Sequence, residues 1–253
     1  MARERMTIVQ HLEELRRRLI WSALTLVVTM GIAFAYSGQM FNLVLRPVVG
    51  PIQQAGGQIA YLNITEGIMI QFQLAMYAGF ILASPVIGYH ILAFILPGLT
   101  SREKRYIWIY LPAAALLFIA GVMMSYLIFL PYAVRFLVSF GAAQARTIVS
   151  VRSLIGFVSS FVLPFGLIFE LPLVTALLTR LGLVSSKLLS RIRKYAILVI
   201  FIVAAILTPP DVISQISMAI PLYALFEISI IVAKVVERRV KRDEARWDEE
   251  DGQ

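Results

Sequence analysis

The chain contains no cysteine, so disulfide bonds, thiolate metal sites and cysteine nucleophiles are all excluded. Histidine is nearly as scarce: His11 and His90 are the only two in 253 residues. They stand far apart and outside any His-Glu-x-x-His spacing, so no metal site is expected. There is no Gly-x-x-x-x-Gly-Lys-[Ser/Thr] loop to cradle a nucleotide and no Gly-x-Ser-x-Gly elbow to present a nucleophile. The expectation is a protein without a cofactor and without enzymatic chemistry. Charge is sparse as well, at 15% of residues.

The abundant component is apolar. Hydrophobic residues make up 59% of the chain, and the mean hydropathy is +0.82. A soluble domain has too little interior to hide that much apolar side chain, so lipid must supply the missing solvent. The net charge is +8, from 23 Lys and Arg against 15 Asp and Glu. A nucleic-acid reader needs a basic face on a folded module. Here the basic residues sit in short runs between apolar segments, which suits lipid headgroups, and no nucleic-acid partner is expected.

Six apolar runs predict an all-α, polytopic membrane protein: Leu19–Tyr36, Met69–Leu96, Tyr106–Leu130, Leu154–Leu178, Tyr195–Leu207 and Ile213–Ala233. A hydrocarbon core of about 30 Å needs roughly 20 helical residues. The fifth run is short, reaching only about 20 Å, and Pro209-Pro210 forbid its continuation. Local thinning of the bilayer or entry of water would accommodate it. Alternate connecting segments hold nineteen of the Lys and Arg residues, against Arg46, Arg135, Arg146 and Arg152 in the others. The basic set is expected to be cytoplasmic, which puts both termini there. Ala33-Phe34-Ala35 after Arg16-Arg17-Arg18 imitates a cleavable signal, yet Glu13 and Glu14 and the length of the apolar run favour a retained span. Residues 1–236 are expected to form the membrane domain, and 237–253 a solvated charged tail that extends the last helix by a turn or two.

Two external segments carry an apolar stripe. In the first, Phe41, Val44, Leu45 and Val48 recur at helical spacing, with Pro47 and Pro51 closing the stretch. In the second, Tyr132–Phe140, the residues Phe136, Leu137 and Phe140 fall on one face. Both could lie at the interface or pack as a lid.

The residues that demand an explanation are acids. Glu170 lies inside the fourth run, roughly 15 Å from Arg180 along the helix, with Pro164 and Pro172 predicting a bend around it. A carboxylate there must face protein, water or a proton, so it is either a docking group or a hydrogen bond between helices of this chain. Glu14 precedes Arg16-Arg17-Arg18, and Glu103 sits within Arg102-Glu103-Lys104-Arg105. Glu14 and Arg18 have the spacing of an ordinary helix pair. Equally, two carboxylates at the membrane boundary could grip guanidinium groups bidentately. Glu66 reads as a helix cap, since Asn63-x-x-Glu66 opens the second span. Glu227 could reach headgroups or Lys234. Gln71, Gln73, Thr208 and Gln215 form a wet polar cluster or simply mark helix ends, and Ser84-Pro85 predicts a kink.

From His11 to Glu227 the sequence resembles the TatC family, the multispanning receptors of twin-arginine protein translocation. The likeness is carried by His11-Leu12-Glu13-Glu14-Leu15-Arg16-Arg17-Arg18, Pro47, Ala93–Leu99 with Glu103-Lys104-Arg105, Phe165–Pro172, Thr208–Gln215 and Ile220–Glu227. It departs from the usual family pattern at Asn63–Ile68. The resemblance implies that Glu14 and Glu103 receive the paired arginines of a signal peptide, with Arg16 and Phe94 completing the patch. It implies that Glu170, Thr208 and Gln215 meet the single-span subunits TatA and TatB, and that Pro47 shapes the external cap. Substrates would be folded precursors driven across by the proton-motive force, with several copies of the chain in one inner-membrane receptor complex. A competing reading from the residues alone is a proton-coupled small-molecule transporter using Glu170, which would favour an inverted repeat that this sequence lacks.

Overall fold

The computed structural model describes residues 8–95, 107–142, 148–208 and 212–251. They fall into two compact units, Met1–Leu116 with Leu137–Ser159, and Leu117–Phe136 with Ser160–Gln253.

In the first unit, α1 (Ile8–Ala35) packs along α3 (Glu66–Ile95). The approach is close because Gly79 has no side chain: a Cβ there would stand 2.7 Å from the Met30 Cα. The Thr29 hydroxyl donates to the Gly79 carbonyl at 2.8 Å, satisfying a polar group that lipid could not. Between these helices in the chain comes α2 (Ser37–Gln54). Pro47 and Pro51 do not close it, contrary to the sequence expectation; both are inside the helix. Each removes one backbone donor, but Leu45, Val48 and Ile52 form a continuous buried stripe that anchors the helix across them.

A small feature has no counterpart in the sequence reading. Strand β1 (Gln58–Ala60) pairs in parallel with β2 (Ile148–Ser150), with Gln58 opposite Ile148 and Ala60 opposite Ser150. Three-residue strands are too short to show alternation, and the partners lie far apart in the chain. The fold is otherwise helical.

Helix α4 (Ile107–Met124) passes into a π-helical turn, Ser125–Phe129, and directly into α5 (Leu130–Ala142). The expected third span and external helix are therefore one run. The Leu130 N–H reaches back to the Ser125 carbonyl, and Pro131 follows at once, where its missing donor and bulky ring favour a widened turn. On α5 the buried residues are Leu130, Ala133, Val134 and Val138. Phe136 and Leu137 are partly covered.

The second unit continues from α6 (Val151–Ile168) into α7 (Leu171–Arg180), α8 (Ser186–Arg191), α9 (Arg193–Leu207) and α10 (Val212–Asp251). Helices α7, α8 and α9 all pack on α10. Phe161, Phe165, Met218, Leu222 and Ile230 fill its core, and Phe165 stacks on Phe129 with ring centroids 4.9 Å apart. Gly121 brings the backbones together, since a Cβ there would lie 2.7 Å from the Phe165 carbonyl oxygen. Helix α10 does not stop a turn or two beyond its apolar part; it runs to Asp251. Its last stretch is rich in Glu, Arg and Lys, good helix formers with i,i+4 pairs such as Glu237 and Lys241.

Five helical segments are long and apolar enough to cross a membrane among the described residues: Val9–Ala35, Glu66–Phe94, Trp108–Ser139, Val151–Arg180 and Val212–Arg242. Helix α9 has 15 residues, about 22 Å, and is the short element that the sequence anticipated.

Candidate functional site

One polar patch forms where the beginning of α1 meets the end of α3. The ring of His11 stacks on that of Phe94, with centroids 4.4 Å apart and planes 16° from parallel. This contact ties the acidic face of α1 to α3. Gln10, Glu13, Glu14, Arg17 and Trp21 follow one another at helical spacing and line a recess of about 430 Å³, with Arg16 at its edge. Arg16 itself is exposed and Phe94 half-buried.

Glu14 is the central group. Arg18 donates to its Oε1 from Nε at 3.0 Å and from a terminal nitrogen at 2.5 Å, so the helix pair read from the sequence exists. The side chain is only 10% exposed. Its other oxygen, Oε2, is buried and has no hydrogen-bond donor among the described residues. An acceptor left in that state costs about 1–3 kcal/mol, which an incoming cationic donor would relieve. Glu103, the second carboxylate of the expected clamp, lies outside the described residues, as does the Pro97-Gly98-Leu99 stretch.

Glu66, at the start of α3, is 3% exposed. It accepts from the Leu62 N–H at 3.1 Å and from Asn63 Nδ2 at 3.2 Å, so it fastens the turn before α3 instead of closing the reciprocal cap that Asn63-x-x-Glu66 suggests. It also accepts from the Ser150 hydroxyl at 3.4 Å, which ties that turn to β2. Nothing in the local sequence signals Ser150. Pro47 is half-buried on α2 between buried Leu45 and Val48.

In the second unit, Glu170 occupies the break between α6 and α7 that Pro164 and Pro172 predict. Its backbone is the N-cap of α7, with Pro172 in the first turn, and its side chain makes no capping bond. The carboxylate is half-buried and makes no hydrogen bond or ion pair among the described residues. An intramembrane acid with no partner among the described residues is available to one from another chain.

Thr208 is the C-cap of α9, and Gln215 lies in the first turn of α10. Thr208 is 6% exposed, and its hydroxyl and N–H both donate to the Ala204 carbonyl, at 2.9 and 2.8 Å. Gln215 donates from Nε2 to the Phe201 carbonyl at 3.0 Å, holding the two helices together near the turn. Pro209, Pro210 and Asp211 lie outside the described residues. Gln73 donates within its own helix to the Tyr77 hydroxyl at 3.3 Å.

Two contacts differ from or add to the sequence reading. Glu227 accepts from Arg193 at 2.9 Å and from the Tyr223 hydroxyl at 2.7 Å, partners the sequence reading did not name. Glu237 accepts from both the N–H and the hydroxyl of Ser186, at 2.6 and 2.7 Å. It thereby caps α8 from α10.

Long apolar helices that carry a few polar side chains define a multi-pass membrane protein. The chain belongs to the TatC family: the family model described as Sec-independent protein translocase protein (TatC) matches residues 10–221. The TatC protein of Carboxydothermus hydrogenoformans is 40% identical over 233 residues, covering 92% of this chain and 94% of the relative. That of Aquifex aeolicus is 38% identical over 238 residues, covering 93% and 98%. A crystal structure described as the twin arginine translocase receptor TatC matches with a TM-score of 0.81 and 38% identity, over 89% of this chain and 99% of that one. The chain is accordingly a membrane component of a protein translocase, not an enzyme.

Proposed function

We propose that this chain is the core receptor of a twin-arginine translocase, binding the Arg-Arg signal peptides of folded precursors. The observation that carries the reading is the Oε2 of Glu14, buried without a donor among the described residues and beside an open recess. A guanidinium offers a planar fork of donors that fits a carboxylate, whereas a lysine ammonium presents a point charge. Glu103 supplies the second carboxylate and Arg16 and Phe94 the rim. TatA and TatB, as single-span subunits, meet Glu170 within the membrane and Thr208 and Gln215 at the end of the short α9. Six crossings with both termini cytoplasmic are supported by the distribution of basic residues. Several copies assemble, and the proton-motive force drives export.

The test is co-purification of the full chain with a tagged precursor carrying Arg-Arg or Lys-Lys. The Arg-Arg precursor is expected to be recovered at least tenfold better, with Glu14→Ala and Glu103→Ala each reducing it. Equal recovery of both precursors, or no change in either variant, overturns the assignment.

A further inference from the structure

The second unit has an apolar lateral groove of about 960 Å³ between the α4–α5 run and α10. Its walls include Leu127, Ile128 and Phe129 on one side and Pro221, Ala224 and Ile228 on the other. Leu127, Ile128 and Ile228 are exposed and would face hydrocarbon.

The π-helical turn Ser125–Phe129 supplies three of these lining residues. Such a turn widens the helix locally and turns side chains away from regular spacing, and it recurs at binding sites. Opposite it, α10 presents Ser217, Pro221 and Ala224, whose small or compact side chains leave the groove open.

The groove has one charged residue in its wall, Arg135. Arg135 is exposed and has no ion-pair partner among the described residues. It marks one end: along the α4–α5 run the lining extends from Met124 to Arg135, and along α10 from Ser217 to Ile228. Each stretch covers twelve residues, about 16 Å of helix from the first Cα to the last. A hydrocarbon core of about 30 Å has leaflets of about 15 Å. A partner's membrane-spanning helix needs the whole thickness. A single acyl chain needs one leaflet.

We infer that this groove is a binding site for an anionic phospholipid, one acyl chain lying between the π-helical turn and α10 and the phosphate paired with Arg135. Length selects a lipid over a helix, and the lone unpaired cation at the mouth selects an anionic headgroup over a zwitterionic one. The Tyr132 ring, which also lines that end, has the amphipathic character suited to the headgroup level.

Native mass spectrometry of the full chain in mild detergent tests the site, with phosphatidylglycerol and phosphatidylcholine of equal chain length as probes. Phosphatidylglycerol is expected to show the higher occupancy. Arg135→Gln should lower it roughly fivefold, the effect of losing one basic contact to an anionic headgroup, and Arg135→Lys should retain most of it. Ala224→Trp, which fills the groove, should lower occupancy by both lipids. Equal binding of the two lipids by the unaltered chain, or occupancy unchanged in Arg135→Gln or Ala224→Trp, overturns the proposal. A photoreactive residue at Leu127 in phosphatidylglycerol-containing vesicles gives an independent reading. Attachment to lipid supports the site, and attachment to a second copy or to another protein's helix overturns it.

Discussion

Glu14 and Glu170 are carboxylates left incomplete by their own chain in different surroundings. Among the described residues, Arg18 occupies one oxygen of Glu14 and the other is buried without a donor, while Glu170 has a donor on neither oxygen. Where the surroundings are apolar, the group's need is for a hydrogen bond more than for a countercharge, because a neutral amide avoids the desolvation cost of an ion. Glu170→Gln is therefore expected to keep more partner recovery than Glu170→Ala when the chain is purified with its single-span subunits. Equal losses in the two variants would contradict a hydrogen-bonding role. The position of Glu170 at a helix break was legible from Pro164 and Pro172, whose backbone consequences are local. The Ser150 partner of Glu66 was not, because a tertiary hydrogen bond between residues so far apart leaves no trace in either local sequence.

Helix α10 shows what element-scale reasoning captures and what it misses. Its apolar half was readable, since twenty consecutive membrane-compatible residues admit one structure. Its charged half was read as a tail because it lacks an apolar stripe, yet propensity and i,i+4 pairing sustain it as helix. Glu237 anchors that half by capping α8 through Ser186. Glu237→Ala or Ser186→Ala should cost about 1–2 kcal/mol locally, in the range for losing a helix cap. Hydrogen exchange measured by mass spectrometry should then speed up across Ser186–Arg191 while α1 and α3 keep their protection. Unchanged exchange in both variants would show that the contact holds nothing in place. Prolines misled at α2 for a related reason: the sequence displays the missing donors of Pro47 and Pro51, whereas the burial of Val48 and Ile52 appears only in three dimensions.

For the molecule as a whole, the apolar balance and the basic segments were enough to read a helical membrane protein, and the motifs were enough to read the family. The parallel β1–β2 pair was beyond reach, because two three-residue segments gain their structure only from each other. Topology can be checked without altering a native thiol, since the chain has none. Single cysteines introduced at Gln53 and at Ser190 should react with a membrane-impermeant maleimide from opposite faces of sealed vesicles. Labelling of both from the same face would refute six crossings with cytoplasmic termini. At about 1.5 Å per residue, α10 is about 60 Å long, and about 27 Å of it lies beyond Ala233. It is a stiff mast, so a probe fixed near its tip will report the tilt of the whole rod, and crowding at that tip will be felt at the mast's foot.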